Sequence, residues 1–311
     1  MERYFVTGGA GFIGSHLVSR LLESAEVTVY DNLSTGSERE IQHNLDSGRL
    51  RFIQADLQDF DNLNKAIASH DIVFHLAANP DVRAGIINTS LDLKMGTLNT
   101  YNVLEAMRLN GISKIVFASS STVYGEAGTR NVSETYGPLL PISLYGASKL
   151  ACEGLISAFC HMFTMQAWIY RFANVVGQGL SHGVIFDFIN KLKQNPRELE
   201  ILGDGRQQKP YIYVDDCIAG ILFGLSNSHE QINIFNLGTG SSTSVSAIAD
   251  IVVQAMGLAD VKFICTGGSR GWPGDVPQVR YDTTKMKELG WEPGCSSDEA
   301  VRKTVQAELG I

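Results

Sequence analysis

Thr7-Gly8-Gly9-Ala10-Gly11-Phe12-Ile13-Gly14 stands between a short apolar run, residues 3–7, and a longer apolar-periodic stretch, residues 12–23. Glycines at this spacing between a strand and a helix have a definite use. Gly8 permits a tight turn, Gly11 lets backbone N–H groups approach a pyrophosphate, and Gly14 lets helix and strand pack closely. Phe12 and Ile13 open the helix, whose N-terminal partial positive charge suits phosphates. The loop predicts a dinucleotide-binding βαβ unit.

Working outward, the same alternation repeats. Residues 26–30, 50–54, 72–76 and 114–119 are strand candidates, and 62–68 and 90–109 carry helical periodicity. A further helix over 145–163 leads to a strand at 166–172. Strands alternating with helices imply a parallel sheet with right-handed crossovers. After Asn174 the texture changes, and Gly177, Gly179, Gly183, Pro196, Gly203 and Gly205 punctuate shorter elements. The expected architecture is α/β. A doubly wound parallel sheet (Rossmann) occupies residues 1–174, with returns near 211–240, and a smaller α+β substrate lobe occupies 175–311.

The bulk properties narrow the class. The 311 residues exceed one core, apolar residues make up 44% and charged residues 19%, and the net charge is −8. An acidic surface argues against nucleic acid or an anionic membrane as partner. No run of 18 apolar residues occurs, which argues against a membrane span. Met1-Glu-Arg-Tyr leads straight into a strand with no signal-peptide pattern. Cys152, Cys160, Cys217, Cys265 and Cys295 are odd in number and contain no CxxC pair, so they read as reduced thiols rather than a metal or disulfide set. A cytoplasmic protein is expected.

The nucleotide-site candidates lie at the carboxyl ends of the early strands, where open α/β sheets bind ligands. Asp31 ends the second strand, where a carboxylate accepts from adenosine ribose hydroxyls. No Arg or Lys occupies Asn32, Leu33 or Ser34, so a 2′-phosphate would lack a counter-ion and NAD is favoured over NADP. Asn32, Ser34 and Gly36 continue this turn. Asp56 and Leu57 close the third strand where an adenine edge fits. Leu76, Ala77 and Ala78 close the fourth, with small side chains beside the dinucleotide.

The fifth strand ends in Ala118-Ser119-Ser120-Ser121-Thr122-Val123-Tyr124-Gly125, which aims hydroxyls into the same crevice. Tyr145 and Lys149 follow at i and i+4, on one helix face. A cation beside a phenol is expected to lower a pKa normally near 10, making a proton acceptor for an alcohol. The same spacing recurs at Tyr281 and Lys285, far from any nucleotide signature, and reads as coincidence.

TGGAGFIG, the Asp31 position, HLAA, SSSTVYG and YxxxK, in this order, resemble the extended short-chain dehydrogenase/reductase superfamily. More closely, the chain is similar to NAD-dependent nucleotide-sugar epimerases of the UDP-glucose 4-epimerase type. Arg171-Phe-Ala-Asn174-Val-Val-Gly177, Ile201-Leu-Gly-Asp-Gly205, Tyr213-Val-Asp-Asp216, Asn236-Leu-Gly-Thr-Gly240, and Gly274-Asp-Val followed by Leu289-Gly-Trp-Glu-Pro293 extend the resemblance over nearly the whole chain. The resemblance implies Tyr145 as acid/base and Lys149 on the nicotinamide ribose. Counting back four residues from Tyr124 places the family's Ser/Thr on Ser120. Asn174 would contact the sugar nucleotide, Arg270 and Lys209 the diphosphate, and Ser121, Tyr211 and Val279 complete the substrate set. The chain departs from the family in three places. Lys209 stands where Arg is frequent, Arg270 lies further from Gly274-Asp275 than usual, and Gly96 replaces an Asn preceding the Asn102-Val-Leu-Glu-Ala run.

The resemblance also bears on the reaction. Sugar 4,6-dehydratases carry Asp-Glu directly after the catalytic Thr, and UDP-glucuronate decarboxylases usually place a Glu nearby. Here Ser121 and Thr122 occupy those positions and cannot act as such acids. Epimerisation of a UDP-sugar at C4 is therefore expected, with Val279 leaving room for a 2-acetamido group. A UDP-glucuronate 4-epimerase, a diffusible-cofactor reductase and a non-catalytic NAD sensor remain alternatives. A homodimer through the helices at 90–109 and 145–163 is implied by the resemblance.

Overall fold

The computed structural model describes residues 1–128, 130–180 and 182–311. In chain order its strands are β1 (Arg3–Thr7), β2 (Glu26–Asp31), β3 (Leu50–Gln54), β4 (Ile72–His75), β5 (Lys114–Ser120), β6 (Asn131–Val132), β7 (Gln166–Phe172), β8 (Asn174–Val176), β9 (Glu198–Ile201), β10 (Gln208–Lys209), β11 (Tyr211–Tyr213), β12 (Ile232–Leu237), β13 (Thr243–Ser244), β14 (Lys262–Cys265) and β15 (Arg280–Tyr281). The α-helices are α1 (Phe12–Leu21), α2 (Arg39–Leu45), α3 (Phe60–Ala66), α4 (Asn99–Leu109), α5 (Leu144–Phe163), α6 (Val184–Gln194), α7 (Val214–Asn227), α8 (Val245–Ala255), α9 (Thr284–Leu289) and α10 (Ser297–Leu309). The chain divides into two compact units.

The first unit comprises Met1–Val123, Ser143–Arg171 and Ile221–Phe235. It is built on a seven-stranded parallel sheet in the order β12-β7-β5-β4-β1-β2-β3. β1 pairs in parallel with both β2 and β4, in register Thr7 with Tyr30 and Thr7 with His75. The chain winds outward from β1 to β3, then returns to β4 and winds the other way. The switch point therefore lies between the carboxyl ends of β1 and β4, where the Gly8 loop leaves β1. Phe5, Val73, Ile115, Phe117 and Ile169 on the strands pack with Val103, Leu104 and Met107 of α4 and with Ile156 and Cys160 of α5 in one apolar cluster. Strands buried on both faces read as nearly continuous apolar runs, which is why they were visible in the sequence.

Residues 90–109 do not form the uniform helix their periodicity suggests. A π turn, Leu93–Leu98, precedes α4. α5 starts cleanly because Ser143 accepts from the Gly146 N–H at 3.0 Å, and it ends at Thr164 in the left-handed region, φ 54°.

Its seat on the sheet is polar and dry. Arg171 of β7 donates through Nε to Glu153 Oε1 (3.0 Å) and through Nη2 to Oε2 (2.7 Å), and Ser119 Oγ of β5 donates to Oε1 (2.5 Å). The two charged side chains are 3% and 7% exposed.

The second unit comprises Tyr124–Ile142, Phe172–Gly220 and Asn236–Ile311. Among the described residues its own sheets are two-stranded. Two-stranded pieces do the work: β8 with β11, β9 with β14 and β6 with β15 in parallel, and β10 with β13 antiparallel. Residues 124–142, assigned to the nucleotide-binding half on sequence order, cluster here instead. The β6–β15 pairing holds them, together with Tyr124 Oη donating to Asn236 Oδ1 at 2.6 Å and Asn236 Nδ2 donating to the Val132 carbonyl at 2.8 Å. Ser297, at the start of α10, accepts from the Tyr211 N–H at 3.0 Å and ties that helix to β11. Ser296 and Glu299 close a reciprocal capping box at the same end.

Removing one partner from a buried ion pair leaves an uncompensated charge. Glu153→Gln is therefore expected to lower the unfolding free energy by about 3 kcal/mol in urea titration. An unchanged midpoint would show that the pair does not anchor α5.

Candidate active site

The nucleotide cradle belongs to the first unit. Gly8 has φ 71° and donates its N–H to the Tyr30 carbonyl at 3.1 Å. A Cβ at Gly8 would lie 2.7 Å from the Ala77 N, and one at Gly14 would run into the Gly8 carbonyl. Gly36 likewise sits against Ala10, whose carbonyl would be 2.5 Å from a Cβ. β1, β4 and the turn after β2 thus converge with no room for side chains, while the α1 N-terminus leaves N–H groups for an anion. These residues fit a dinucleotide.

Asp31 sits as expected at the end of β2, but its carboxylate also has a structural task. Oδ2 accepts from the Ala10 N–H (3.0 Å) and Oδ1 from the Leu33 N–H (2.8 Å), which shapes the loop. Asn32 Nδ2 donates to Asp56 Oδ2 (2.8 Å) and Asn32 Oδ1 accepts from the Ser34 N–H (3.0 Å), so the turns after β2 and β3 form one rim. Leu57 is buried, and its carbonyl accepts from Asn102 Nδ2 at 2.9 Å. The Leu76 N–H donates to the Thr7 carbonyl (3.1 Å) and the Ala77 N–H to Thr7 Oγ1 (3.3 Å), and Ala78 follows directly along this path.

β5 delivers the serines in alternation. Ser119 points inward to Glu153, whereas Ser120 faces the other way, close enough to the Tyr145 phenol to favour its ionised form. Thr122 donates to Ser120 Oγ from both its N–H (3.2 Å) and its hydroxyl (3.0 Å). Ser121 opens the short 3₁₀ turn Ser121–Tyr124 and makes none of these contacts. The pleat therefore turns Ser120, and not Ser119, towards Tyr145.

Lys149 is 4% exposed. Its Nζ donates to the Ala118 carbonyl at 2.6 Å and lies 4.8 Å from the Phe117 ring centroid and 5.7 Å from that of Tyr145. Burial pulls its pKa down to about 8. Tyr145 departs from the sequence expectation. Burial holds its phenol well above the usual value of 10, the Ser120 bond only partly opposing it, and the Asp92 carboxylate adds to the rise. The protein's own groups keep Tyr145 protonated, because Lys149 spends its charge on Ala118 and on ring faces.

Several residues here gave no separate signal in the sequence. His75 Nδ1 bonds Thr7 Oγ1 (2.7 Å), His75 Nε2 bonds Thr100 Oγ1 (3.0 Å), and Thr100 Oγ1 donates to Cys152 Sγ (3.2 Å). Because Thr100 gives its proton to sulfur, His75 must donate from Nε2 and accept at Nδ1. Burial and the Lys149 charge keep it neutral, with its pKa pushed down to about 3. The chain runs from β1 through β4 and α4 to α5. Asp92 is buried, accepts from Asn79 Nδ2 at 3.0 Å, and has its pKa raised by burial. In the sequence only Thr7 of the glycine motif, His75 of HLAA and Cys152 as a thiol had been named, and nothing linked them.

The remaining candidates lie in the second unit. Lys209 Nζ meets Asp275 Oδ1 at 2.5 Å. Arg270 pairs with Glu126 and donates through Nη1 to the Asp275 carbonyl at 3.1 Å. The five-residue gap between Arg270 and Asp275 is thus closed by the loop itself, which brings both basic groups onto one acidic residue. Asn174 is exposed and pairs with Tyr211 across β8 and β11. Tyr211 is buried, while Val279 is half-buried and donates its N–H to the Gln208 carbonyl at 3.3 Å. Tyr281, by contrast, is a packing residue. It is buried, and its hydroxyl donates to the Phe172 carbonyl at 2.8 Å.

The sheet, the cradle and the Ser–Tyr–Lys geometry define an enzyme of the extended short-chain dehydrogenase/reductase class. The profile of the NAD dependent epimerase/dehydratase family matches residues 4–238. A protein of Methanocaldococcus jannaschii provisionally named UDP-glucose 4-epimerase is 36% identical, over 96% of this chain and 96% of its own length. A crystal structure of a UDP-galactose 4-epimerase superimposes with a TM-score of 0.88 at 38% identity, covering 99% of both chains. The Thermus thermophilus UDP-glucose 4-epimerase in complex with NAD does so with a TM-score of 0.88 at 32% identity, again over 99% of both. The chain belongs to the NAD-dependent epimerase/dehydratase family, and its cofactor is NAD.

The lowered Lys149 pKa has a signed consequence for stability. Below pH 8 Lys149 is protonated in folded and unfolded chain alike, and the cost of burying its charge is present in full. From pH 8 towards its ordinary value of 10.5 the folded chain releases the proton first, so the cost is relieved. The stability of Lys149→Met relative to the parent should therefore decline by about 3 kcal/mol across that window. Urea titration at pH 7 and pH 10 measures it, and a pH-independent difference would contradict the assigned shift.

Proposed function

We propose that the chain is a UDP-sugar 4-epimerase that retains NAD, interconverting UDP-glucose and UDP-galactose and also accepting the 2-acetamido sugars. The observation that carries this reading is the convergence of Ser120, at the end of β5, with the Tyr145 phenol, and of Lys149 one helical turn further along α5. Bound NAD supplies hydride acceptance and return at C4, together with a positive ring that favours the phenolate.

The chain's own groups do the rest. Tyr145 Oη takes the proton of the 4-hydroxyl, and Ser120 Oγ hydrogen-bonds the same oxygen as charge develops there. Lys149, held on Ala118, orients the nicotinamide ribose. Ser121 and Thr122 offer hydroxyls and no acid, so neither elimination nor decarboxylation is assisted. Lys209 and Arg270 serve the diphosphate by exchanging their carboxylate partners for phosphate oxygens. The 4-keto sugar turns about its diphosphate link, and Tyr145 returns the proton to the oxygen of the opposite epimer. The modest volume of Val279 supports acceptance of a 2-acetamido group. Asn174 and Tyr211 complete the sugar-nucleotide contacts.

A homodimer through α4 and α5 fits the exposed apolar side chains those helices carry. Tyr101, Leu109, Leu144, Met162 and Phe163, with Leu98 just before α4, are all more than a third exposed. Tyr101, Phe159 and Phe163 form a ring cluster across the two helices. No described helix is long and apolar enough to cross a membrane.

The protein purified without added NAD should interconvert UDP-glucose and UDP-galactose, and Tyr145→Phe should lower kcat by roughly 10²–10⁴-fold. A panel including UDP-GlcNAc and UDP-glucuronate discriminates the substrates. Strict dependence on added NAD(P)H would mean a reductase, and turnover of UDP-glucuronate alone would move the assignment to that sugar.

A further inference from the structure

Gly96 lies in the π turn that precedes α4, and it is buried. A Cβ on this residue would run into Ser148 Oγ and lie 3.3 Å from Ser148 Cβ. Ser148 belongs to α5, three residues after Tyr145 and next to Lys149. Its hydroxyl donates to the Asp92 carbonyl at 2.7 Å and meets Thr97 Oγ1 at 3.0 Å. With the Ser148 proton committed to Asp92, Thr97 is the donor in the second bond. The hydroxyl thus fills the space a side chain at position 96 would need, and its bonds to Asp92 and Thr97 both go to the segment that carries Gly96.

We propose that Ser148, seated in the hollow left by Gly96, is a positioning residue that sets the rotation and height of α5 and thereby aims Tyr145 and Lys149. Gly96 is then required by the Ser148 hydroxyl as it is placed here. A side chain at 96 and the Ser148 hydroxyl in its present rotamer compete for one space, and turning the hydroxyl away would give up its bonds to Asp92 and Thr97. If both are present, α5 is displaced at the residue between its two functional groups. Displacements of about 1 Å at a reacting group cost on the order of 100-fold in rate. The wider i→i+5 turn is the element that brings Gly96 to this closeness. The inference rests on the roles given above to Tyr145 and Lys149.

Gly96→Ala, Ser148→Ala and the double variant test it as full-length protein with NAD bound. Gly96→Ala should lower kcat at least about tenfold while KM for UDP-glucose stays within about twofold, since the contact lies behind the reacting groups. Ser148→Ala, losing only two hydrogen bonds, should lose about threefold. The double variant should return to within about threefold of Ser148→Ala, because the clashing hydroxyl is gone.

Wild-type kcat in Gly96→Ala, or a double variant no faster than Gly96→Ala, would overturn the proposal. If Gly96→Ala does not fold, a double variant that folds and turns over supports it, and one that also fails to fold overturns it. Should the parent turn over no UDP-sugar, the functional reading fails independently. The Tyr145 ionisation then decides, read by ultraviolet difference titration against Tyr145→Phe. A titration moved upward in Gly96→Ala and restored in the double variant supports the proposal, and one unmoved in Gly96→Ala overturns it.

Discussion

Everything in the first unit depends on one helix being held against two strands. α5 has to present Tyr145 and Lys149 at the end of β5, and a helix held only by apolar contacts can slide or roll. Polar contacts to β5 and β7 prevent this. Glu153 accepts from Ser119 and doubly from Arg171, and Lys149 donates to Ala118. Their donors and acceptors are buried, so each is expensive to leave unmade. Ser119 and Ser120 then divide the labour on opposite faces of one strand, the first anchoring the helix and the second meeting Tyr145.

The electrostatics of this arrangement are incomplete without the cofactor's chemistry. Burial lowers the Lys149 pKa and raises that of Tyr145, so both groups are pushed towards their neutral forms. Desolvation outweighs the mutual attraction because the ammonium is turned towards the Ala118 carbonyl and the Phe117 ring rather than the phenolic oxygen. A further positive charge beside the phenol, such as an oxidised nicotinamide ring would bring, favours the phenolate.

Local pattern made much of this legible. The glycine loop, Asp31 and the strands through Gln54 are sequence-local, and their bounds follow from apolar runs ended by turn residues. Tyr145 and Lys149 stood out through spacing and order, and Ser120 was singled out among its serines only through the family resemblance. The hidden features are non-local. Glu153 and Arg171 belong to different elements 18 residues apart, and nothing in either neighbourhood announces a pair. The π turn looks helical because a single i→i+5 step barely disturbs the apolar periodicity of residues 90–109. Gly96 was conspicuous as a departure, but its reason lies on another helix, in Ser148. The direction of the Tyr145 shift failed for a similar cause, since sequence spacing shows neighbours and not desolvation.

The central claim is that hydride leaves C4 and returns to C4 of the same sugar while Tyr145 handles only the hydroxyl proton. UDP-glucose deuterated at C4, incubated with the purified protein in ordinary water and analysed by mass spectrometry and NMR, tests it directly. The account predicts UDP-galactose with deuterium retained at C4 and no loss of mass. Deuterium lost to solvent, or a product lighter by water or carbon dioxide, would contradict it.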